Sequence, residues 1–121
     1  MVSALQGRSA TVVGAGIGGL AAALALARRG AEVTLLERAP ALTEMGAGLQ
    51  LSPNGMRVID ALGLKAAVEA VSAPGGTVQL HDHRGRPVIR LDFTRRRPDA
   101  SFRLIHRARL VDVLAGAART A

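Results

Sequence analysis

The apolar positions of this 121-residue chain change their period along its length, and each change marks an element. SATVV (9–13) has the composition of a short strand, the alanine- and leucine-rich run from Gly19 to Ala27 that of a helix, and EVTLLE (32–37) that of a second strand. Gly30 stops the helix after Arg28 and Arg29, because glycine accepts the left-handed backbone at a helix end and cations suit its negative pole. GLQLS is a further short strand. Ser52 as N-cap and Pro53 as first helical residue then open PNGMRVIDALG, which turns Met56, Ile59 and Leu62 inward, with Val58 beside them, and stops at Gly63. Residues 65–71 form a second short helix. TVQLHDHRGRPVIRLDF alternates apolar and polar positions on both sides of His83 to Arg86, which predicts a β-hairpin. Leu104 and Ile105 end another apolar stretch, and RARLVDVLAGAA is an amphipathic helix with Leu110, Val113, Leu114 and Ala117 on one face. The expected class is α/β: a Rossmann-like βαβ fold with a parallel sheet and an added β-hairpin, forming a single domain over residues 1–121, with no internal repeat.

The turn between the first strand and helix carries chemistry. Gly14, Gly16 and Gly19 make a G-x-G-x-x-G pattern between a strand and a helix, where that pattern has a physical meaning. Gly14 permits the tight turn, Gly16 lets a pyrophosphate reach the backbone, and Gly19 lets the helix pack closely on the sheet. The helix N-terminus offers unpaired N–H groups and a positive dipole end to an anion, with no lysine needed. Glu37 stands 23 positions after Gly14, at the end of the second strand, where a carboxylate can accept hydrogen bonds from both ribose hydroxyls of an adenosine. A glycine turn of purely structural use would not call for that strand, helix and acid together, so the unit is a dinucleotide site.

Composition narrows the remaining classes. Aromatic residues are 2% of the chain, Phe93 and Phe102, so a core must be aliphatic. The lack of cysteine excludes disulfides, thiolate metal sites and a cysteine nucleophile. His81, His83 and His106 form no spaced ligand set with carboxylates, so no metal site is expected. A net charge of +7 could attract nucleic acid or an anionic membrane. The basic residues are scattered, however, no aromatic platform accompanies them, and the one dense run, Arg95 to Arg97, fits a solvated loop. The alanine-rich run is too short to cross a bilayer and is broken by Arg28 and Arg29, and MVSALQGRS lacks the order of a secretory signal. No nucleic-acid or membrane partner is expected, and the cytoplasm is the expected location. No paired carboxylates or Ser-His-Asp arrangement can be argued from spacing, so no catalytic residue is assigned.

Four segments, VVGAGIGGLAAALALARRG, VTLLER, MGAGLQLSPNGMRVIDALGL and IHRARLVDVL, resemble in order and spacing the N-terminal third of a class A flavoprotein monooxygenase, the group that includes salicylate hydroxylase and para-hydroxybenzoate hydroxylase. The last two segments separate this family from other Rossmann proteins. The resemblance implies FAD as cofactor, NAD(P)H as reductant, and hydroxylation of an aromatic or related small molecule by the complete enzyme. It implies that Gly14, Gly16, Gly18 and Gly19 lie against the FAD pyrophosphate and that Glu37 holds the adenosine ribose with Arg38 close by. Gln50 becomes a neighbour of the flavin, and Arg107 of the HR-x-x-L motif a contact of FAD phosphate or ribityl oxygens. A guanidinium suits that contact because its fork of donors matches phosphate oxygens. Arg109 stands where the family often has aspartate. The family's later Asp-Gly and Gly-Asp motifs are absent, since neither dipeptide occurs in the sequence. The expectation is therefore the N-terminal part of an FAD-binding domain, incomplete relative to the family and inactive alone, either a truncated piece or one completed by a second chain. Two other readings stay open from the residues themselves: an NAD-binding dehydrogenase domain, which the loop after Arg38 disfavours, and a non-catalytic nucleotide-binding remnant.

Overall fold

A computed structural model describes residues 4–42, 46–96 and 102–121, the Arg96 side chain aside. Strands β1 (Ser9–Val13) and β2 (Glu32–Leu36) run parallel, with Val12 opposite Leu35, and helix α1 (Ile17–Ala27) makes the crossover between them. Alternation puts Ala10, Val12, Val33 and Leu35 on the face toward the helix. Val13 and Leu36, directly opposite each other, are on the other face and are 82% and 51% exposed.

Helix α1 ends as its sequence predicts. Gly30 takes φ 89°, the Gly30 N–H donates to Ala27 O at 2.8 Å, and the Ala31 N–H donates to Leu26 O at 3.2 Å. This pair of bonds satisfies carbonyls that the helix leaves unpaired. The Arg29 guanidinium adds a bond to Ala25 O at 3.2 Å. Helix α2 (Pro53–Ala61), which follows β3 (Gly48–Leu51), stops at Gly63 in the same way, φ 60°, before α3 (Lys65–Ala70). Its N-cap is Ser52 with Pro53 at the first position, yet the serine side chain makes no capping bond.

Sequence reading did not separate the next layer. β4 (Ser72–Pro74) pairs antiparallel with β7 (Arg103–His106), which also pairs antiparallel with β3, so β7 is the centre of a three-stranded sheet. The Arg103 guanidinium locks β4 to β7 through bonds to Ser72 Oγ at 2.6 Å, Ser72 O at 2.8 Å and Glu69 O at 3.1 Å. The hairpin is present as β5 (Thr77–His81) and β6 (Pro87–Asp92), its turn held by Asp82 Oδ1 accepting from the Arg84 and Arg86 N–H groups, both at 2.9 Å. Phe93, expected in the second hairpin strand, instead opens α4 (Phe93–Arg96) and stacks on Phe102 with ring centroids 5.0 Å apart. Arg97 of the basic run lies outside the described residues, as do residues 43–45 of the loop after Glu37.

Helix α5 (Arg107–Thr120) packs on α1, and Leu20, Leu24, Leu110 and Leu114 meet in a core closed by Met56, Ile59 and Val68. Three expected inward positions move. Val58 is 55% exposed, because at 100° per residue it falls about 40° outside the arc of Met56, Ile59 and Leu62. On α5 the buried stripe is Leu110, Val111, Leu114 and Ala115, with Val113 and Ala117 only half-buried at its margin. No helix among the described residues is long and apolar enough to cross a membrane.

Candidate functional site

The glycine turn has the geometry its spacing requires. Gly14 sits at φ 96°, in the left-handed region that glycine alone enters without strain, and its N–H donates to Leu36 O at 2.7 Å. A Cβ placed on Gly19 would overlap the Gly14 carbonyl, so the absence of a side chain there lets α1 approach the turn. Gly16 and Gly18 are different: a Cβ on either would meet nothing within 4 Å. These two glycines are not required by packing, and they leave the backbone at the head of α1 open to a ligand. Gly16 is the N-cap, it forms no side-chain capping bond, and the first turn carries no acidic residue. The helix's own first turn thus supplies no negative side chain to its positive end.

Glu37 folds back over that turn. Its Oε2 accepts from the Ala15 N–H at 2.7 Å, and its Oε1 accepts from the Ala39 N–H at 2.9 Å. These backbone donors, Ala15 first and Ala39 second, hold the Glu37 carboxyl below the usual glutamate range. It is a fixed, ionised acceptor with lone pairs to spare. Sequence reasoning placed Glu37 near the site but missed Ala15, because a backbone N–H leaves no trace in residue type. Arg38, next along, is exposed.

A second group forms where β7 passes into α5. Gly48 pairs with His106 and Gln50 with Leu104 across the β3–β7 ladder, and the Arg107 N–H reaches Ala47 O at 3.3 Å. Gly46 lies against Arg107, 3.8 Å separating the Arg107 Cβ from the place a Cβ on Gly46 would take. Gln50, His106 and Arg107 are exposed around this junction, so the structure gathers two predicted residues, Gln50 and Arg107, that are far apart in sequence. One core supports both groups, Ala15 and Leu20 beneath the turn and Ile105 and Leu110 beneath the junction. Among the described residues no group of three or more histidines and carboxylates is placed to hold a metal.

The sequence model of the FAD-binding domain matches residues 8–121, nearly the whole chain. The chain belongs to that family. Within the FAD-binding domain family it is 41% identical, over 82% of its own length, to a 3-amino-4-hydroxybenzoate 2-monooxygenase of Streptomyces cremeus. It is 49% identical, over 59% of its length, to a 3-hydroxybenzoate 6-hydroxylase of Polaromonas naphthalenivorans. The solved structure of tetrameric 2-methyl-3-hydroxypyridine-5-carboxylic acid oxygenase superposes with a TM-score of 0.83 at 34% identity, over 93% of this chain. Klebsiella pneumoniae HpxO, solved with FAD, superposes at 0.78 and 27% identity. The chain spans 26% and 18% of the two curated relatives and 29% of the oxygenase chain. The family match places FAD, not NAD alone, as the dinucleotide of this fold, and the βαβ unit is that of a flavin enzyme's cofactor domain.

Proposed function

We propose that this chain is the part of an FAD-dependent aromatic monooxygenase that grips the ADP half of the cofactor. The observation that carries the reading is the Glu37 carboxylate held on the Ala15 N–H beside two glycines whose missing side chains no packing requires. The turn at Gly14 to Gly19 receives the pyrophosphate against the head of α1, with Gly16 and Gly18 facing it and Gly14 and Gly19 shaping the turn. Glu37 accepts from the ribose hydroxyls, and Arg38 lies at the adenosine end. Gln50 and Arg107, on the β3–β7–α5 junction, serve the flavin side, Arg107 by pairing with phosphate or ribityl oxygens.

FAD, reduced by NAD(P)H, supplies the oxygen-transfer chemistry when bound in the complete enzyme, and the protein supplies binding, orientation and exclusion of water. This chain's residues bind and orient. None of them is assigned as a catalytic acid or base. The substrates of the complete enzyme are small hydroxylated aromatic acids or related rings, as the names of the relatives suggest for those proteins. Residues 1–121 act as one unit, without nucleic acid or membrane, in the cytoplasm. Without further polypeptide to shield the flavin ring, the chain hydroxylates nothing, since an open site loses its reactive species to water. The test is to incubate the chain with FAD, NADH or NADPH, and a panel of hydroxybenzoates, and to analyse products by mass spectrometry. Retention of FAD without a product heavier by one oxygen is expected. Such a product, absent from free-FAD controls, would overturn the reading of a binding portion only.

A further inference from the structure

The β5–β6 hairpin stands off the body of the chain. Its strands pack chiefly on each other, no described residue from Gly75 to Arg95 joins the hydrophobic core, and Leu80, Val88, Ile89 and Leu91 are exposed along it. A two-stranded hairpin has little stability of its own, so the angle of this arm must be set where it is attached. The attachment is small. The chain enters β5 through Gly75 and Gly76 and leaves β6 into Phe93. The Gly75 N–H donates to Phe102 O at 2.7 Å, and the Phe93 N–H donates to Gly76 O at 2.9 Å.

Phe93 and Phe102 are the two aromatic residues of the chain, and they meet at this point, half-buried, with 13° between the ring planes and centroids 5.0 Å apart. Phe93 belongs to the arm and Phe102 to the body, where it precedes Arg103, the residue bonded to Ser72 and Glu69. Asp92 fixes the backbone beside Phe93, its Oδ1 accepting from the Thr94 N–H at 3.1 Å and the Thr94 hydroxyl at 2.6 Å. The two glycines report the same contact. Neither has a positive φ, so backbone conformation does not call for glycine there. Space does: a Cβ on Gly75 would stand 2.8 Å from Phe102 Cδ1, and one on Gly76 would stand 3.1 Å from Thr94 Cγ2. Bare backbone is what lets Phe102 and Thr94 close over the connection.

We infer that the Phe93–Phe102 stack is a clasp, which holds the hairpin arm at one angle to the body and on release lets the arm pivot at Gly75 and Gly76. A hinge needs a few residues that can absorb changes in φ and ψ, and a Gly-Gly pair does so without a side chain to clash. Stacked rings suit the closing contact, because they attract in a defined geometry yet lock no covalent or ionic bond. From Phe102 the restraint passes along β7 to His106 and Arg107, so the clasp sets where the arm stands relative to that junction. The inference is independent of the flavin reading, since no residue of the clasp belongs to the glycine turn or to the group of Gln50 and Arg107.

The chain has no cysteine, so Asp60→Cys on α2 and Arg84→Cys in the hairpin turn provide one pair of spin labels without competing thiols. Pulsed electron paramagnetic resonance reads the distribution of distances between them. With both phenylalanines in place a single narrow distribution is expected. Phe93→Leu, which keeps apolar bulk without a ring, is expected to widen it by about twofold or more, and Phe93→Tyr to leave it narrow. Gly75→Ala, whose methyl group would crowd the Phe102 ring, is expected to widen it as well. Equal widths in all four proteins overturn the clasp. Circular dichroism accompanies each measurement, and helix content is expected to stay at the parent's level. Collapse of the helical signal in Phe93→Leu would make the pair part of the packing that folds the body, and would overturn the clasp equally.

Discussion

Glu37 and Ala15 are joined by a 2.7 Å hydrogen bond that ties the end of the second strand to the glycine turn after the first. The bond makes the acid a part of the turn's architecture as well as an acceptor aimed at solvent. Because the folded carboxyl is held below its ordinary value of 4.5, its contribution to stability is present above that pH and is lost as pH falls through the lower folded value. Thermal melts of wild type and Glu37→Gln across this range are expected to differ in slope, the wild type losing more on acidification. Asp82 and Asp92 are also held low, by the Arg86 backbone and by Thr94 respectively, and act as a common background in both proteins. Parallel melting curves would remove the Glu37 bond from the account.

The two kinds of glycine in the turn should separate binding from folding. Gly16→Val places its side chain in open space at φ −71°, and because valine is a poorer N-cap than glycine it should cost about 1 kcal/mol of stability while FAD affinity is lost. Gly19→Ala meets the Gly14 carbonyl and should destabilise by about 1–3 kcal/mol. Urea unfolding beside FAD titration reads both quantities. A folded Gly16→Val protein with unchanged FAD affinity would make the turn structural only.

The aliphatic core gives a third expectation. Leu24 and Leu114, at 0% and 1% exposure, join α1 to α5, and truncation of either to alanine should cost roughly 2–5 kcal/mol. Val13→Thr, on the uncovered sheet face, should cost within about 0.5 kcal/mol. Equal losses at the buried and exposed positions would contradict the placement of the core.

Much of this architecture was legible because local rules and tertiary packing agree. Gly30 and Gly63 end helices in the left-handed conformation that their positions after apolar periodic runs predict, and the parallel pairing of Val12 with Leu35 follows from strand, helix and strand in succession. What stayed hidden depends on partners distant in sequence. SAP at 72–74 has no strand composition and becomes β4 only because Arg103 reaches back to Ser72. Val111 and Ala115 are buried because α5 packs on α1, α3 and β7 together, a set of neighbours that the period of α5 alone does not specify. Within the candidate site, residue types marked Gly16 and Glu37, but the Ala15 N–H that fixes the carboxylate and the junction of Gly46 with Arg107 appear only once the chain is folded.

The central claim is that this chain recognises the ADP half of FAD, and competition against bound FAD tests it most directly. FAD is titrated into the purified chain by fluorescence, and ADP and FMN are then added separately as competitors. ADP is expected to displace FAD, because pyrophosphate and ribose carry the contacts at Gly16 and Glu37, and FMN is expected to displace it poorly. Displacement by FMN with no effect of ADP would contradict the account.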